Sequence, residues 1–231
     1  SVKSSLSLSI CFDNFAVFFL DPPVPISVYP FNGEFGTRDL GPHQNSPGIS
    51  YNLQLAPGPF GQPSGSIRFS ATPFSYIEFP NNGGLDTRFS LTILLWVFPE
   101  NVNGPMINYG TKYSSVHFWI DNGETWARLM ERLGGVSGVV LRNSLNHHPW
   151  NFIALSYDYV TGVQRVWSDG KVYDAANVGQ FGLKTQDVIR MGVKDGDPRF
   201  LKGRISCFQV YDKALTEREV QAVRGLCFRK G

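Results

Sequence analysis

The sequence has few charged residues, no long apolar run and no acceptor for an N-linked glycan. Only 17% of its 231 residues are charged, and the formal net charge is +2. A protein that binds nucleic acid through a basic surface would show a clear excess of Lys and Arg, so this class is disfavoured. No apolar run reaches the roughly 18 residues that cross a bilayer, which argues against membrane insertion. No Asn begins an Asn-x-Ser/Thr triplet, so N-glycosylation is excluded as well.

Cysteine is also scarce, since Cys11, Cys207 and Cys227 are the whole set. They form no C-x-x-C pair, so a tetrahedral zinc site with four ligands is poorly supported. Cys207 lies in an apolar run and Cys227 follows the last helical stretch. We predict a Cys207–Cys227 disulfide, with two buried free thiols as the alternative, and Cys11 would then be a free or intermolecular thiol. A disulfide favours an oxidising compartment, and we expect a secreted, extracellular protein.

Turn-forming residues are abundant, with 24 Gly and 15 Pro. Between them lie short segments rich in aromatic and β-branched residues, separated by turns such as Asn122-Gly123 and Asp169-Gly170. The predicted strands are 66–70, 76–79, 90–98, 105–109, 116–121, 125–133, 138–142, 150–157, 163–168, 171–173, 187–191 and 203–211, with shorter ones in the Pro-rich stretch 21–65. One helix is predicted over 216–224, begun by the capping-box pair Thr216 and Glu219. This pattern predicts an all-β fold, a two-sheet antiparallel jelly-roll sandwich with a short C-terminal helix.

The first 25 residues are predicted to be an extended segment that precedes a single domain over 26–231. Alternation of Ser and apolar residues from Ser5 to Ile10 predicts a strand. Asp13 and Asn14 interrupt the apolar stretch, and no small-residue cleavage pattern follows, so a signal peptide is not favoured. The strand within residues 1–20 pairs either with its own sheet or with a neighbouring subunit, and both alternatives stay open.

Six segments in this order resemble the laminin-G-like, concanavalin A-like jelly roll, a superfamily that also contains the pentraxins. They are FSLTILLWV at 89–97, WNFIALSYD at 150–158, RVWSDGK at 165–171, IRMG at 189–192, FLKGRI at 200–205 and YDKALT at 211–216. The resemblance covers about residues 26 to 228. It implies the jelly-roll fold and a ligand among glycans, sulfated polysaccharides, proteins or calcium, although some members are purely structural. Fold alone does not decide between these.

The resemblance also suggests a calcium site at one rim of the sandwich. Asp39, Asn45 and the carbonyls around Gly41 match a family loop that supplies oxygen ligands, the kind that calcium prefers. Ser206 and Cys207 stand where many members carry an acidic pair. Calcium is therefore one interpretation of this loop, and a metal-free turn built around Asp39 is the other. The acidic loop Asp195-Gly196-Asp197 is a weaker candidate, because nothing else in the sequence converges on it.

Aromatic and basic residues alternate along two predicted strands that are consecutive in the sequence. In 116–121, His117, Trp119 and Asp121 share one face, and in 126–133 the same applies to Trp126, Arg128, Met130 and Arg132. Arg142 alternates in a similar way on the following strand. If these strands are neighbours, one sheet face presents a ligand site of Trp119, Trp126, Arg128, Arg132 and Arg142. Indoles stack on sugar rings and guanidinium groups pair with sulfates or carboxylates. The alternative is that both Trp cover the core and the Arg are solvated surface residues.

Catalysis is not expected from this sequence. Glycosidases need two facing carboxylates, and those of this fold carry E-x-D-x-x-E on one strand. The chain has neither this spacing nor a G-x-S-x-G elbow. Glu217 and Glu219 fall in the first turn of the predicted helix, where carboxylates are favoured. His147 and His148 are interpreted as loop residues, with a ligand or metal contact as the alternative.

The function that these features favour is a non-catalytic extracellular recognition or adhesion module. It would bind glycans or matrix glycoproteins, with calcium as a candidate cofactor. The alternative is a structural subunit of an extracellular matrix or filament, assembled through residues 1–20. A glycosidase would require two carboxylates about 5 to 10 Å apart in a groove.

Overall fold

The computed structural model describes residues 21–113, 115–135, 139–145 and 149–228. In chain order its strands are β1 (Ser27–Tyr29), β2 (Ile49–Tyr51), β3 (Gln54–Ala56), β4 (Ser66–Ser70), β5 (Tyr76–Phe79), β6 (Leu91–Pro99), β7 (Gly104–Tyr109), β8 (His117–Asp121), β9 (Glu124–Arg128), β10 (Leu141–Ser144), β11 (Asn151–Asp158), β12 (Val163–Ser168), β13 (Lys171–Asn177), β14 (Ile189–Met191) and β15 (Lys202–Tyr211). They are followed by the helix α1 (Glu217–Val223) and a 3₁₀ turn, Leu226–Phe228.

The strands form two antiparallel sheets, which confirms the predicted jelly-roll sandwich. Sheet A has eight strands in the order β13-β12-β11-β6-β15-β4-β3, and β1 also pairs with β15. Sheet B has seven strands in the order β10-β9-β8-β7-β14-β5-β2. Strands far apart in the chain are therefore neighbours in space, as jelly rolls require.

Sheet A is apolar on both faces, and strand β6 shows why. Leu91, Ile93 and Leu95 point into the core between the sheets. The alternating residues Leu94 and Trp96 belong to a second cluster on the outer face of sheet A. A strand that is buried on both sides reads as a continuous apolar run instead of an alternating one.

The C-terminal helix covers the outer face of sheet A. Val220 and Val223 of α1 are buried against Trp96 and Trp167 in the second cluster. The Cys207–Cys227 disulfide ties the following turn to β15, which confirms the predicted bridge. Trp96 and Trp167 are buried in this second cluster, and the partly buried Trp150 packs beside them.

The helix begins at the predicted capping box. The Thr216 side chain accepts a hydrogen bond from the Glu219 backbone N–H, and the Glu219 carboxylate accepts one from the Thr216 backbone N–H. Replacing Thr216 with Ala leaves an N–H without its cap, so the free energy of unfolding should fall by about 1 kcal/mol. Urea unfolding measures this, with Thr216→Ser as a control that keeps the cap. An unchanged midpoint in Thr216→Ala would contradict the assigned role.

Most predicted strands lie within a few residues of the observed ones, and the largest error is in β9. We predicted a strand over 125–133, but β9 ends at Arg128. Beyond it the chain runs beside residues 182–183, where the Arg132 N–H donates to the Gly182 carbonyl at 2.6 Å. The alternation of faces therefore stops, and Leu133, the last residue of the predicted strand, is 93% exposed. The tight turns are confirmed, because Asn122 and Asp169 adopt a positive φ.

Residues 1–20, which contain the predicted strand and Cys11, lie outside the described residues, as do His147 and His148. In the part of the chain that the structure covers, no helix has both the length and the apolar composition to cross a membrane.

Candidate functional site

Strands β8, β9 and β10 place the predicted ligand residues on the outer face of sheet B. The β8–β9 register sets His117 opposite Arg128 and Trp119 opposite Trp126. Arg142 of β10 lies opposite Trp126 on the other side. The alternating residues Phe118 and Ile120 of β8 point into the core between the sheets. We call the set His117, Trp119, Trp126, Arg128 and Arg142 the Trp face.

Three aromatic rings form the floor of the Trp face. The centroid of the His117 ring lies 5.5 Å from that of Trp119 and 5.6 Å from that of Trp126, and the two indoles are 6.4 Å apart. Trp119 is only 3% exposed, yet it belongs to neither hydrophobic core cluster. Trp126 is half-buried. Both indoles therefore lie on the side of sheet B that faces away from the core between the sheets.

A loop that follows β14 builds a wall above this floor. It leaves the strand at Gly192, whose φ of 93° and close contacts with Ser75 and the Phe69 ring leave no room for a Cβ. The loop closes where the Leu201 N–H donates to the Gly192 carbonyl at 3.0 Å. Within it, the Arg199 guanidinium lies over the Trp119 ring, 4.8 Å from the centroid.

Floor and wall together enclose a cavity of about 290 Å³. Its lining consists of His117, Trp119, Trp126, Arg128, Lys194, Asp197 and Arg199. Asp197 accepts from the Arg199 guanidinium at 2.7 Å, and this hydrogen bond lowers the pKa of the Asp197 carboxyl. Lys194 and Arg199 were missed by the sequence analysis, and Asp197 was considered only as a weak calcium candidate. Nothing in the pattern of one loop signals which distant strand it will cover.

His117 is held neutral in this cavity. Burial and, after it, the positive charges of Lys194, Arg128 and Arg199 together lower its pKa to about 4, against a smaller opposite effect of Asp197. The Ser115 backbone N–H donates to Nε2 at 3.5 Å. The proton of the neutral imidazole is therefore on Nδ1. Among the described residues, neither His117 Nδ1 nor the Trp119 indole N–H has a hydrogen-bond partner.

Arg142 and Arg132 both pair with acidic side chains. Arg142 stays on the Trp face, where it pairs with Asp121 at 2.9 Å and Glu124 at 3.4 Å. Arg132 is not on this face, which corrects our expectation. Because β9 ends at Arg128, the Arg132 guanidinium instead makes a bidentate pair with Asp86, at 2.7 and 2.8 Å. The structure therefore brings together Trp119, Trp126, Arg128 and Arg142 but separates Arg132 from them.

The Asp39 loop forms a compact turn. Asp39 Oδ1 accepts from the backbone N–H groups of Val28 and Gly41, both at 2.8 Å. Its Oδ2 accepts from the backbone N–H and the side-chain amide of Asn45, both at 2.9 Å. Asp39 and Asn45 are thus neighbours, as predicted, and the carboxylate serves as a local acceptor. Within the described ranges, no three His, Cys, Asp or Glu residues cluster as a metal site. Calcium binding here stays a prediction.

Residues 71–221 match the sequence model of the concanavalin A-like lectin/glucanases superfamily. The chain belongs to this superfamily. This agrees with the resemblance found in the sequence, and the match runs from just before β5 to within α1. None of the curated proteins compared with the chain matches it.

Solved structures with a similar fold include binding domains of clostridial toxins. The binding domain of Paraclostridial Mosquitocidal Protein 1 superposes with a TM-score of 0.69 at 16% identity, covering 87% of this chain and 52% of that one. The ligand-binding domain of Botulinum neurotoxin serotype D, in complex with N-acetylneuraminic acid, superposes with a TM-score of 0.69 at 14% identity, covering 87% of this chain and 50% of that one. The binding domain of Botulinum neurotoxin serotype G superposes with a TM-score of 0.68 at 13% identity, covering 87% of this chain and 51% of that one. The chain thus spans about half the length of these domains, and the likeness shows the fold alone.

Proposed function

We propose that this chain is a non-catalytic recognition module of an extracellular protein and that it binds glycans on the Trp face. One observation carries the proposal. A small cavity on the outer face of sheet B is floored by two indoles and an imidazole, and two polar atoms of that floor have no partner among the described residues. Ligand sites combine apolar and aromatic walls with a few placed polar groups in this way.

The half-buried Trp126 supplies the surface on which a sugar ring can stack. Its indole lies beside the cavity and carries the Arg128 guanidinium 6.0 Å from the ring centroid. A volume of about 290 Å³ is at the small end of ligand pockets, so the cavity suits one unit of a larger ligand. A similar fold in a toxin domain solved with N-acetylneuraminic acid supports glycan binding in general terms.

The acidic residues at the Trp face favour binding over catalysis. A glycosidase needs a carboxylic acid that remains protonated at working pH, together with a second, facing carboxylate. The pKa of Asp197 is instead lowered by its hydrogen bonds with Arg199. Asp121 and Glu124 both pair with Arg142. An extracellular location is supported by the Cys207–Cys227 disulfide, since such bridges persist in oxidising compartments.

The first test is an array of neutral, sialylated and sulfated glycans, followed by titration of the best binder. Replacing Trp126 with Ala should weaken binding at least tenfold, about 1.4 kcal/mol, because a stacked aromatic residue is a typical hot spot. Tyr173→Ala is the matched control, since Tyr173 is an aromatic residue that is 57% exposed on β13 of sheet A. Absence of binding to every glycan, or equal affinity of Trp126→Ala and the unmodified chain, would overturn the proposal.

The same array, repeated with a chelator, tests the calcium prediction. Stacking on Trp126 needs no metal ion, and Asp39 already accepts four hydrogen bonds. We therefore expect glycan binding to persist in the chelator. Binding that disappears with the chelator would instead assign the ligand site to the loop of Asp39 and Asn45.

A further inference from the structure

We infer that the cavity of the Trp face is an anion subsite, which takes a sulfate ester or carboxylate carried by the glycan. This inference rests on the proposed function and specifies the chemical class of its ligand. Two features of the cavity support it, namely the hydrogen-bond donors of its floor and the charges of its lining.

The floor offers donors of hydrogen bonds. Trp119 and His117 are 3% and 5% exposed, so both side chains are more than nine-tenths buried. The indole N–H can only donate, and His117 Nδ1 carries the ring proton because Nε2 accepts from Ser115. A buried donor without an acceptor costs about 1–3 kcal/mol. A sulfate or ionised carboxylate offers acceptors only, so it is a suitable partner for such donors.

The lining of the cavity carries a net positive charge. Arg128 of β9 and Lys194 and Arg199 of the wall contribute three positive charges against the carboxylate of Asp197. Asp121, which is outside the lining, also lies 3.5 Å from the Arg199 guanidinium. Arg199 is already paired with Asp197, whereas Lys194 makes no salt bridge to another described residue. The ammonium of Lys194 is therefore the charge that an incoming anion can pair with at least cost. Charges at a small, partly desolvated site attract an anion more strongly than the same charges in open water.

Different parts of the ligand then contact Trp126 and the cavity. The sugar ring stacks on the half-buried indole, and its anionic substituent enters the adjoining cavity. A neutral glycan retains the stacking contact, and its hydroxyl oxygens can accept hydrogen bonds from the floor, but it brings no negative charge to pair with Lys194. The preference for an anionic ligand is therefore expected to depend on Lys194.

Calorimetric titration with two matched pairs tests the inference. One pair is a heparin-derived hexasaccharide and its fully desulfated, N-acetylated counterpart, which keeps the carboxylates. The other is 3′-sialyllactose and lactose. In at least one pair the more highly charged member should bind at least tenfold more tightly, and the pair that responds separates sulfate from carboxylate as the ligand group. Lys194→Gln should remove most of that difference. Lys171→Gln, on an exposed position of β13, should leave it unchanged.

The outcomes separate the subsite from the proposed function. Equal affinities within both pairs, each weakened by Trp126→Ala, would overturn the anion subsite and leave glycan binding in place. A charge preference that survives Lys194→Gln but is lost in Arg142→Gln would place the anion outside the cavity and also overturn the inference. If no compound binds here and no glycan of the wider array binds either, both proposals fail.

Discussion

Replacing Cys227 with Ala is expected to lower the free energy of unfolding by about 3 kcal/mol. A cross-link of this span reduces the conformational entropy of the unfolded chain, and the substitution removes that restriction. The bridge joins residues 20 positions apart. It also holds the C-terminal turn on sheet A, where Cys227 and Phe228 pack against the cluster that contains Trp96. Equilibrium unfolding in guanidinium chloride under non-reducing conditions measures the difference.

Two controls isolate the bridge in this experiment. Cys11→Ala removes the third thiol and leaves Cys207 and Cys227 paired, so its unfolding curve should match that of the unmodified chain. Adding a reductant to the unmodified chain should reproduce the curve of Cys227→Ala. A midpoint for Cys227→Ala within error of the unmodified chain would show that the bridge does not contribute to stability.

The features of the fold that could be predicted from sequence are the local ones. The Thr216–Glu219 capping box needs only residues three apart, and the alternation in 116–121 depends only on the pleat of one strand. The pairing of Trp119 with Trp126 also follows from the local sequence. A tight turn at Asn122-Gly123 joins β8 to β9, sets Asp121 opposite Glu124 and thereby fixes every later pair of the hairpin.

The parts of the site that could not be predicted depend on long-range contacts. Arg199 lies 80 positions from Trp119, and it covers that indole because the loop 192–201 folds back across the outer face of sheet B. Arg132 was misplaced for a similar reason. Alternation in the sequence continues beyond Arg128, but contact with residues 182–183 ends the strand there. Both placements depend on tertiary contacts, which no local pattern in the sequence reports.

His117 should make the stability of the protein depend on pH. Its pKa is lowered from 6.5 to about 4 in the folded chain, mainly by burial and then by Lys194, Arg128 and Arg199. Below pH 6.5 the unfolded chain binds a proton at this residue that the folded chain does not. The stabilisation that neutral His117 provides is therefore present above pH 6.5 and is lost as the pH falls towards 4, by about 3 kcal/mol in total.

Unfolding by urea at pH 7 and pH 4, in the unmodified chain and in a His117→Gln variant, tests this pH dependence. Carboxylates also titrate in acid, but they contribute equally to both proteins and cancel in the comparison. The loss of stability between the two pH values should be about 3 kcal/mol larger in the unmodified chain than in His117→Gln. His43→Gln, a change at an exposed loop position, should behave as the unmodified chain does. Equal losses in the unmodified chain and His117→Gln would mean that His117 becomes protonated in the folded state above pH 4, and that the cavity is more open to solvent than its packing indicates.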